Sequence, residues 1–256
     1  MQGLGRALDR KGIKNMRLTH FWTKLGYWCG LATLTSATRE VVRQKLTYLT
    51  PTKLHRIHRA LNETKQVEGD IIEFGVALGG AGVIFAQNLG DSRRFLGFDV
   101  FKMIPPPTSE KDDPESKDRY QLINSGASKG IGGDKYYGYR DNLFLEVKET
   151  FSRHGVPVDG QRIALYQGLF ETTWPTVTVH RVSLVHIDCD WYDPVHYCLH
   201  AIADKMSEGG IVIIDDYNDW GGCRVAVDEF VAERKDFIFE MGSNPFLRRK
   251  HGTTVS

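Results

Sequence analysis

The chain has 256 residues, a formal net charge of +1, 41% hydrophobic residues and 25% charged residues. This length supports one or two domains with a sizeable core. The near-zero charge argues against nucleic acid or an anionic membrane as partner. No apolar stretch reaches the length of a membrane span, and the basic N-terminus has no apolar signal core. We therefore expect a cytoplasmic protein without membrane contact.

The N-terminal part of the chain is predicted to form a segment of its own, residues 1–45, ahead of the main domain at 46–256. Residues 1–17 are typical of a flexible arm. Residues 18–34 are rich in aromatic side chains, which suit packing on the main core or, equally, a subunit contact or part of a lid. The spacing of apolar residues then predicts a helix over 39–63, in which Thr50 and Pro51 suit a helix start.

A glycine-rich turn follows the first predicted strand. The strand runs into Glu73-Phe74-Gly75-Val76-Ala77-Leu78-Gly79-Gly80, and a helix follows. Glycines let the backbone approach a ligand, and a helix N-terminus offers free N–H groups. The spacing matches neither GxGxxG nor a P-loop. The acid that opens the turn favours a ligand with a cationic or hydroxyl-bearing part, although a tight turn without a ligand also uses glycine.

The next strand, 95–99, ends in Asp99, about 25 residues past the turn, where an acid can accept the ribose hydroxyls of a nucleoside. Residues 102–140 contain prolines, mixed charges and several tyrosines. They are predicted to form a mobile lid over the site, with an ordinary surface insertion as the alternative. A helix is then predicted from Asp141 to His154, and a strand that closes on Gly168.

Two apolar runs end in acids. Residues 182–188 lead into Asp188 and Asp190, and residues 210–214 lead into Asp215 and Asp216. If the strands are parallel neighbours, these carboxylates converge, and they need a cation between them. Mg²⁺ prefers such hard oxygen ligands, so Asp188, Asp215 and Asp216 are the candidate metal ligands. Asp190 points to the same side and is the candidate general base.

Histidines offer other candidates. His196 and His200 are four residues apart and could bind a metal, but their apolar neighbours favour ordinary helix residues. His186 precedes the acids on the same strand face, where it could tune them or donate to the backbone.

Strands that alternate with helices predict an α/β fold with a doubly wound, mostly parallel sheet and an antiparallel hairpin at its C-terminal edge. The glycine turn and Asp99 describe a nucleoside-binding half, and the acids describe a metal site beside it. The missing pyrophosphate motif favours S-adenosylmethionine over NAD. The candidate cofactor-binding residues are Glu73, Phe74, Gly75, Gly79, Gly80, Asp99, Gly168 and Asp188.

The glycine turn, the segment 98–101 and the two acid-ended strands resemble the macrocin O-methyltransferase family. The resemblance runs from about residue 46 to the C-terminus. It implies a class I methyltransferase fold of Rossmann type, S-adenosylmethionine and Mg²⁺ as cofactors, and methylation of a deoxysugar hydroxyl on an antibiotic glycoside. It also implies a homo-oligomer. The pair Ala77-Leu78 departs from the Trp-Arg that the family often carries.

In that resemblance Asp188, Asp215 and Asp216 match the metal ligands and Asp190 matches the base. Glu73, Gly75 and Asp99 match cofactor positions. Two other hypotheses remain. The DxD of Asp188-Cys189-Asp190 is compatible with a nucleotide-sugar glycosyltransferase, although it leaves the second acid pair unexplained. A non-catalytic relative is the other, and the intact acids argue against it.

Overall fold

The computed structural model describes residues 26–252, so the predicted arm 1–17 and the first part of the aromatic segment lie outside the described residues. A seven-stranded sheet with the strand order β3-β2-β1-β4-β5-β7-β6 forms the centre of the fold. Strands β1 to β5 pair in parallel, whereas β7 pairs antiparallel with both β5 and β6. The strands are β1 (Asp70–Phe74), β2 (Phe95–Asp99), β3 (Ile163–Gln167), β4 (Val182–Ile187), β5 (Met206–Ile214), β6 (Phe237–Glu240) and β7 (Phe246–Arg249).

Helices cover both faces of this sheet. They are α1 (Ser36–Arg43), α2 (Pro51–Glu63), α3 (Gly80–Ala86), α4 (Pro114–Asn124), α5 (Leu143–Arg153), α6 (Phe170–Thr173), α7 (Tyr192–Ala203) and α8 (Gly221–Glu233). One apolar cluster packs α1, α2, α3 and α5 on one face, and a second packs α7 and α8 on the other. Alternate residues of the buried strands supply the two clusters: Ile71 belongs to the first and Ile72 to the second. The predicted fold class is confirmed. Within residues 26–252, no helix has both the length and the apolar character that a membrane crossing requires.

Four predicted elements differ in their bounds. The helix expected over 39–63 is two helices, because Thr50 and Pro51 begin a new helix after an irregular link at 44–50. The segment 102–140 contains the helix α4. Helix α5 begins at Leu143, with Asn142 rather than Asp141 as the residue before it. Strand β5 begins at Met206, four residues earlier than expected.

The turn after β1 brings two strand ends into close contact. Gly75 has φ +94°, and a Cβ atom there would lie 1.8 Å from the carbonyl oxygen of Asp188. Only a residue without a side chain fits this position. The absence of that side chain lets the chain after β1 lie directly beside the chain after β4.

The insertion 102–140 is fixed to the helices that follow the acid-ended strands. Asp112 accepts a hydrogen bond from the backbone N–H of Tyr192, in the first turn of α7, at 2.8 Å. Asp113 accepts one from the backbone N–H of Gly221, at the start of α8. These N–H groups lack partners within their own helices. The insertion therefore covers the carboxyl ends of β4 and β5, where the predicted site lies.

Candidate active site

A cavity of about 850 Å³ lies at the carboxyl ends of the parallel strands. Gly75 after β1, Asp99 at the end of β2, Asp188 after β4 and Asp215 after β5 all line it. Ligands of open α/β sheets bind at this edge, beside the point where the strand order reverses. That reversal lies between β1 and β4, so the cavity occupies the position that the topology favours.

The three predicted metal ligands meet in this cavity. Asp188, Asp215 and Asp216 each offer a carboxylate oxygen, and these oxygens lie within 4.8 Å of one another. The backbone fixes the first two, because Asp188 N–H donates to Phe74 O and Asp215 N–H donates to Ile187 O, each at 2.9 Å. Sheet-like pairing thus continues past the strand ends and holds the acids together.

Burial makes this cluster electrostatically demanding. Burial and the neighbouring carboxylates raise the pKa values of Asp188 and Asp216 well above the usual range of aspartate. Burial has the same tendency at Asp215, but contacts with His186 and Lys53 outweigh it and lower the pKa of Asp215. Asp215 Oδ1 is buried and has no hydrogen-bond partner within residues 26–252. Hard oxygen donors with an unsatisfied buried atom fit a divalent cation such as Mg²⁺.

Lys53 of α2 contacts this cluster, which the sequence reasoning missed. Its ammonium group lies 2.8 Å from Asp215 Oδ2, 3.1 Å from the backbone oxygen of Asp215 and 2.8 Å from Asp219 Oδ2. Burial opposes its charge, but Asp215, Asp219 and Asp216 outweigh burial and raise the pKa of Lys53. Lys53 and Asp215 are 162 positions apart in the chain, so no local pattern could reveal the contact.

The predicted base, Asp190, lies beside the cluster but outside its ligand set. Its backbone has φ +60°, and its N–H donates to Asp216 Oδ2 at 3.0 Å. Burial raises the pKa of Asp190 to about 6, and the negative charge of Asp215 acts in the same direction. Asp190 and Trp220 both line the cavity.

Glu73, a predicted cofactor residue, lies outside the cavity lining. Its side chain is 1% exposed, and Oε1 lies 3.1 Å from Nδ1 of His186, which is 0% exposed. Cα pairing places Glu73 opposite His186 on neighbouring strands. His186 Nε2 lies 3.9 Å from Asp215 Oδ1, too far for a hydrogen bond. The Glu73–His186 pair thus lies beneath the acid cluster, within the sheet.

The other predicted cofactor residues divide in two. Gly75, Asp99 and Asp188 line the cavity, whereas Phe74, Gly79, Gly80 and Gly168 lie outside its lining. The ring of Phe74 is buried, and the N–H of Gly80 donates to Leu46 O at 3.0 Å. This hydrogen bond holds the link between α1 and α2 against the start of α3.

Asp99 stabilises the glycine turn itself. Its Oδ2 accepts hydrogen bonds from the backbone N–H groups of Val76 and Ala77, both at 2.8 Å, and its Oδ1 accepts one from Phe101 N–H. A carboxylate oxygen has two lone pairs, so capacity for a ligand hydroxyl remains. Asp99 combines a cavity position with a structural role that its place in the sequence did not indicate.

Aromatic and basic side chains form the cavity wall near Asp190. The insertion contributes Arg119, Ile123 and Tyr136, and the segment before α2 contributes Tyr48. The Arg119 guanidinium lies 5.8 Å from the centre of the Tyr136 ring. Of the tyrosines in the insertion, Tyr136 and Tyr137 line the cavity. Tyr48, Arg119 and Trp220 were not predicted.

The histidine pair on α7 is an ordinary part of the helix. The His196 and His200 rings stack at 4.2 Å, and His200 Nδ1 lies 2.9 Å from the backbone oxygen of His196. Both residues lie outside the cavity lining.

The strand order and the position of the cavity are those of the class I S-adenosylmethionine-dependent methyltransferase fold. The O-methyltransferase NovP superposes with a TM-score of 0.67 at 22% identity, over 80% of this chain and 82% of NovP. The calicheamicin methyltransferase CalS11 superposes with a TM-score of 0.59 at 21% identity, over 96% of this chain and 99% of CalS11.

The model of the macrocin O-methyltransferase family (TylF) matches residues 37–238, and the chain belongs to this family. It is 26% identical over 192 residues to the demethyldecarbamoylnovobiocin O-methyltransferase of Streptomyces niveus; the match covers 71% of this chain and 66% of the relative. The chain thus spans slightly less than two thirds of that relative's length.

Proposed function

We propose that this protein transfers a methyl group from S-adenosylmethionine to a hydroxyl of a deoxysugar in a small-molecule glycoside, with Mg²⁺ as second cofactor. One observation carries the proposal: a single cavity joins the glycine turn after β1 to the acids after β4 and β5. Relatives support the chemistry. The Streptomyces niveus relative is a demethyldecarbamoylnovobiocin O-methyltransferase, and CalS11 is a TDP-rhamnose 3′-O-methyltransferase.

The cofactor fits the part of the cavity between β1 and β2. Gly75 and Ala77 bring the backbone of the turn to the cavity, and Asp99 brings a carboxylate. Ala77 has φ +46°, so the turn is held in an uncommon conformation by the hydrogen bond to Asp99. A rigid turn next to an acid suits a nucleoside with free ribose hydroxyls. Phe170 adds an apolar surface to the same cavity.

Asp188, Asp215 and Asp216 are the residues that would hold Mg²⁺. Their converging oxygens, their burial and the unpartnered Asp215 Oδ1 fit an oxygen-loving dication. When bound there, the dication would supply Lewis-acid chemistry that lowers the pKa of an acceptor hydroxyl.

Asp190 serves as the general base. Its carboxylate takes the proton of the acceptor hydroxyl while the hydroxyl oxygen forms a bond to the methyl carbon and the bond from that carbon to sulfur breaks. The products are a methyl ether, S-adenosylhomocysteine and protonated Asp190. A pKa of about 6 lets Asp190 be mostly ionised at neutral pH and still accept a proton more readily than an ordinary aspartate. The hydrogen bond from the Asp190 N–H to Asp216 Oδ2 fixes the position of this residue beside the acid cluster.

The wall near Asp190 suits a sugar with an attached apolar group. Tyr48, Tyr136 and Trp220 line this side of the cavity. Small-molecule sites are mostly apolar and aromatic, with few polar groups that set orientation. Tyr48 is 49% exposed, so part of this wall is accessible from solvent.

The test is methyl transfer itself. The protein is incubated with isotope-labelled S-adenosylmethionine, MgCl₂ and two acceptor sets, nucleoside diphosphate deoxysugars and deoxysugar glycosides of apolar aglycones. We expect a mass gain of one methyl group on a glycoside, loss of the reaction with EDTA and recovery with Mg²⁺. Full activity after thorough chelation would remove the metal from the proposal. Failure to bind S-adenosylhomocysteine in a calorimetric titration would contradict the proposed methyltransferase activity.

A thermal-shift comparison of S-adenosylhomocysteine with a nucleoside diphosphate addresses the glycosyltransferase hypothesis. Cys189, the middle residue of the DxD, is buried and belongs to the apolar cluster on the α7 side of the sheet. A nucleoside diphosphate that stabilises the protein against heat more than S-adenosylhomocysteine would favour glycosyl transfer.

A further inference from the structure

Lys53 contacts the candidate metal site, and the proposed mechanism leaves it without a role. Its side chain is 14% exposed. It lies against Asp215 Oδ2, the backbone oxygen of Asp215 and Asp219 Oδ2, at 2.8, 3.1 and 2.8 Å. An ammonium group has three hydrogens to donate, and these three oxygens use all of them. Lys53 therefore has no donor left for a substrate, and its partners are acids of the protein.

Hydrogen bonds from two distant parts of the sequence fix the backbone of Lys53. Thr50 caps the start of α2, and its side chain accepts a hydrogen bond from the Lys53 N–H at 3.4 Å. On the C-terminal side, the Asn244 amide donates to the backbone oxygen of Lys53 at 3.3 Å. The lysine is held at the acid cluster by the fold rather than by a chance surface pairing.

This arrangement divides the two oxygens of Asp215. Lys53 occupies Oδ2, whereas Oδ1 is buried without a hydrogen-bond partner in the described part of the chain. Asp215 can then offer one oxygen to a cation. The Lys53 ammonium, which is a covalent part of the protein, also neutralises part of the negative charge of Asp215.

We propose that Lys53 is a permanent counter-cation of the metal site, which limits the affinity for a divalent cation and restricts Asp215 to one ligand oxygen. The inference rests on the proposed function, since it assumes that Asp188, Asp215 and Asp216 bind the dication. The three ligand carboxylates, the Lys53 ammonium and one dication together carry no net charge, while Asp219 and Asp190 add negative charge beside them. The ammonium therefore offsets part of the carboxylate charge that attracts a cation. Without the ammonium, the loaded cluster would keep a negative charge and attract cations more strongly.

This electrostatic argument predicts opposite effects on Mg²⁺ affinity for substitutions of Lys53 and Asp219. Lys53→Met keeps the apolar stem and removes the charge, so Mg²⁺ should bind at least about tenfold more tightly. Asp219→Asn removes an acid that shares the ammonium, so Lys53 acts on Asp215 alone and Mg²⁺ should bind more weakly. Because repulsion grows with ion charge, Lys53→Met should favour Tb³⁺ even more than Mg²⁺.

The measurement is a calorimetric titration of the full chain with MgCl₂ and TbCl₃ at one pH, with S-adenosylhomocysteine present. Lys53→Arg should stay close to the original affinity because it keeps the charge. Lys111→Met is the matched control: Lys111 also contacts three oxygens, on Glu229 and Tyr192, but away from the cluster. It should leave the affinity unchanged. Thermal unfolding of each variant checks that it is folded.

The outcomes separate the two proposals. If the unaltered protein binds no divalent cation, the metal part of the proposed function fails. If it binds Mg²⁺ and Lys53→Met binds with equal or lower affinity, Lys53 is a structural anchor and the inference is overturned while the function stands. Should Lys53→Met not fold, Asp219→Asn decides the matter, and an unchanged affinity in that variant overturns the inference.

Discussion

Lowering the pH from 8 to 6 should weaken Mg²⁺ binding to this protein strongly. Burial and mutual repulsion raise the pKa values of Asp188 and Asp216, so in the metal-free protein these carboxyls hold protons at a pH where an ordinary aspartate is ionised. A dication must displace those protons, and its affinity therefore rises with pH. Asp215 is already ionised because its pKa is lowered, so it adds no competing proton.

The size of the effect follows from the number of protons displaced. Each displaced proton changes the dissociation constant about tenfold per pH unit, which is about 1.4 kcal/mol. One proton displaced across the two units gives about 100-fold, or about 2.7 kcal/mol, and the two raised carboxyls set an upper limit of two protons. In a domain of this size that free energy corresponds to about 5–10 °C in the Mg²⁺-induced shift of the melting temperature.

Calorimetric titration with MgCl₂ at pH 6, 7 and 8, in buffers of different ionisation enthalpy, measures both affinity and proton release. Asp216→Asn should release fewer protons. Asp193→Asn is the control, since Asp193 lines the same cavity outside the ligand set. A measurable affinity that stays constant from pH 6 to 8 would refute the reasoning, because the acids would then be ionised without a cation.

Three substitutions test the rest of the site. Asp190→Asn should keep binding of S-adenosylhomocysteine and Mg²⁺ and reduce kcat about 10²–10⁴-fold; retained turnover would exclude Asp190 as base. Trp220→Ala removes an aromatic side chain from the cavity wall and should raise the KM for the acceptor with little change in cofactor affinity; an unchanged KM would contradict a role of this wall in acceptor binding. Gly75→Ala drives a Cβ into the Asp188 carbonyl and should destabilise the fold by about 3 kcal/mol in chemical denaturation. Gly90→Ala is the control, because Gly90 also has a positive φ but no atom lies within 4 Å of the added Cβ; it should lower the free energy of unfolding by about 1 kcal/mol. Equal losses of stability in the two variants would contradict the steric argument.

The sheet and the acid cluster could be predicted because their signals are local. Each buried parallel strand is a short apolar run, and the acids of β4 and β5 directly follow such runs. Parallel neighbours share an edge, so adjacency in the sheet was enough to bring Asp188, Asp215 and Asp216 together.

The remaining site features depend on distant pairings or on strand register. Lys53 meets Asp215 through the packing of α2 against β5, which no spacing in the sequence encodes. Glu73 was assigned to the cofactor because an acid opens the turn, but strand pairing sets it opposite His186 and turns it inward. His186 gave a usable signal, since it lies two residues before Asp188 on the same strand face. Its partner became evident only with the register of β1 against β4.

The left-handed backbone at Asp190 has a further consequence for how this chain can diverge. With φ at +60°, the position accepts asparagine or glycine at little cost and resists β-branched residues. A single-nucleotide change from aspartate to asparagine would keep the peptide path and both ligand sites. A duplicated gene could thus encode a paralogue that binds the cofactor but lacks catalytic activity, with no change in its backbone conformation.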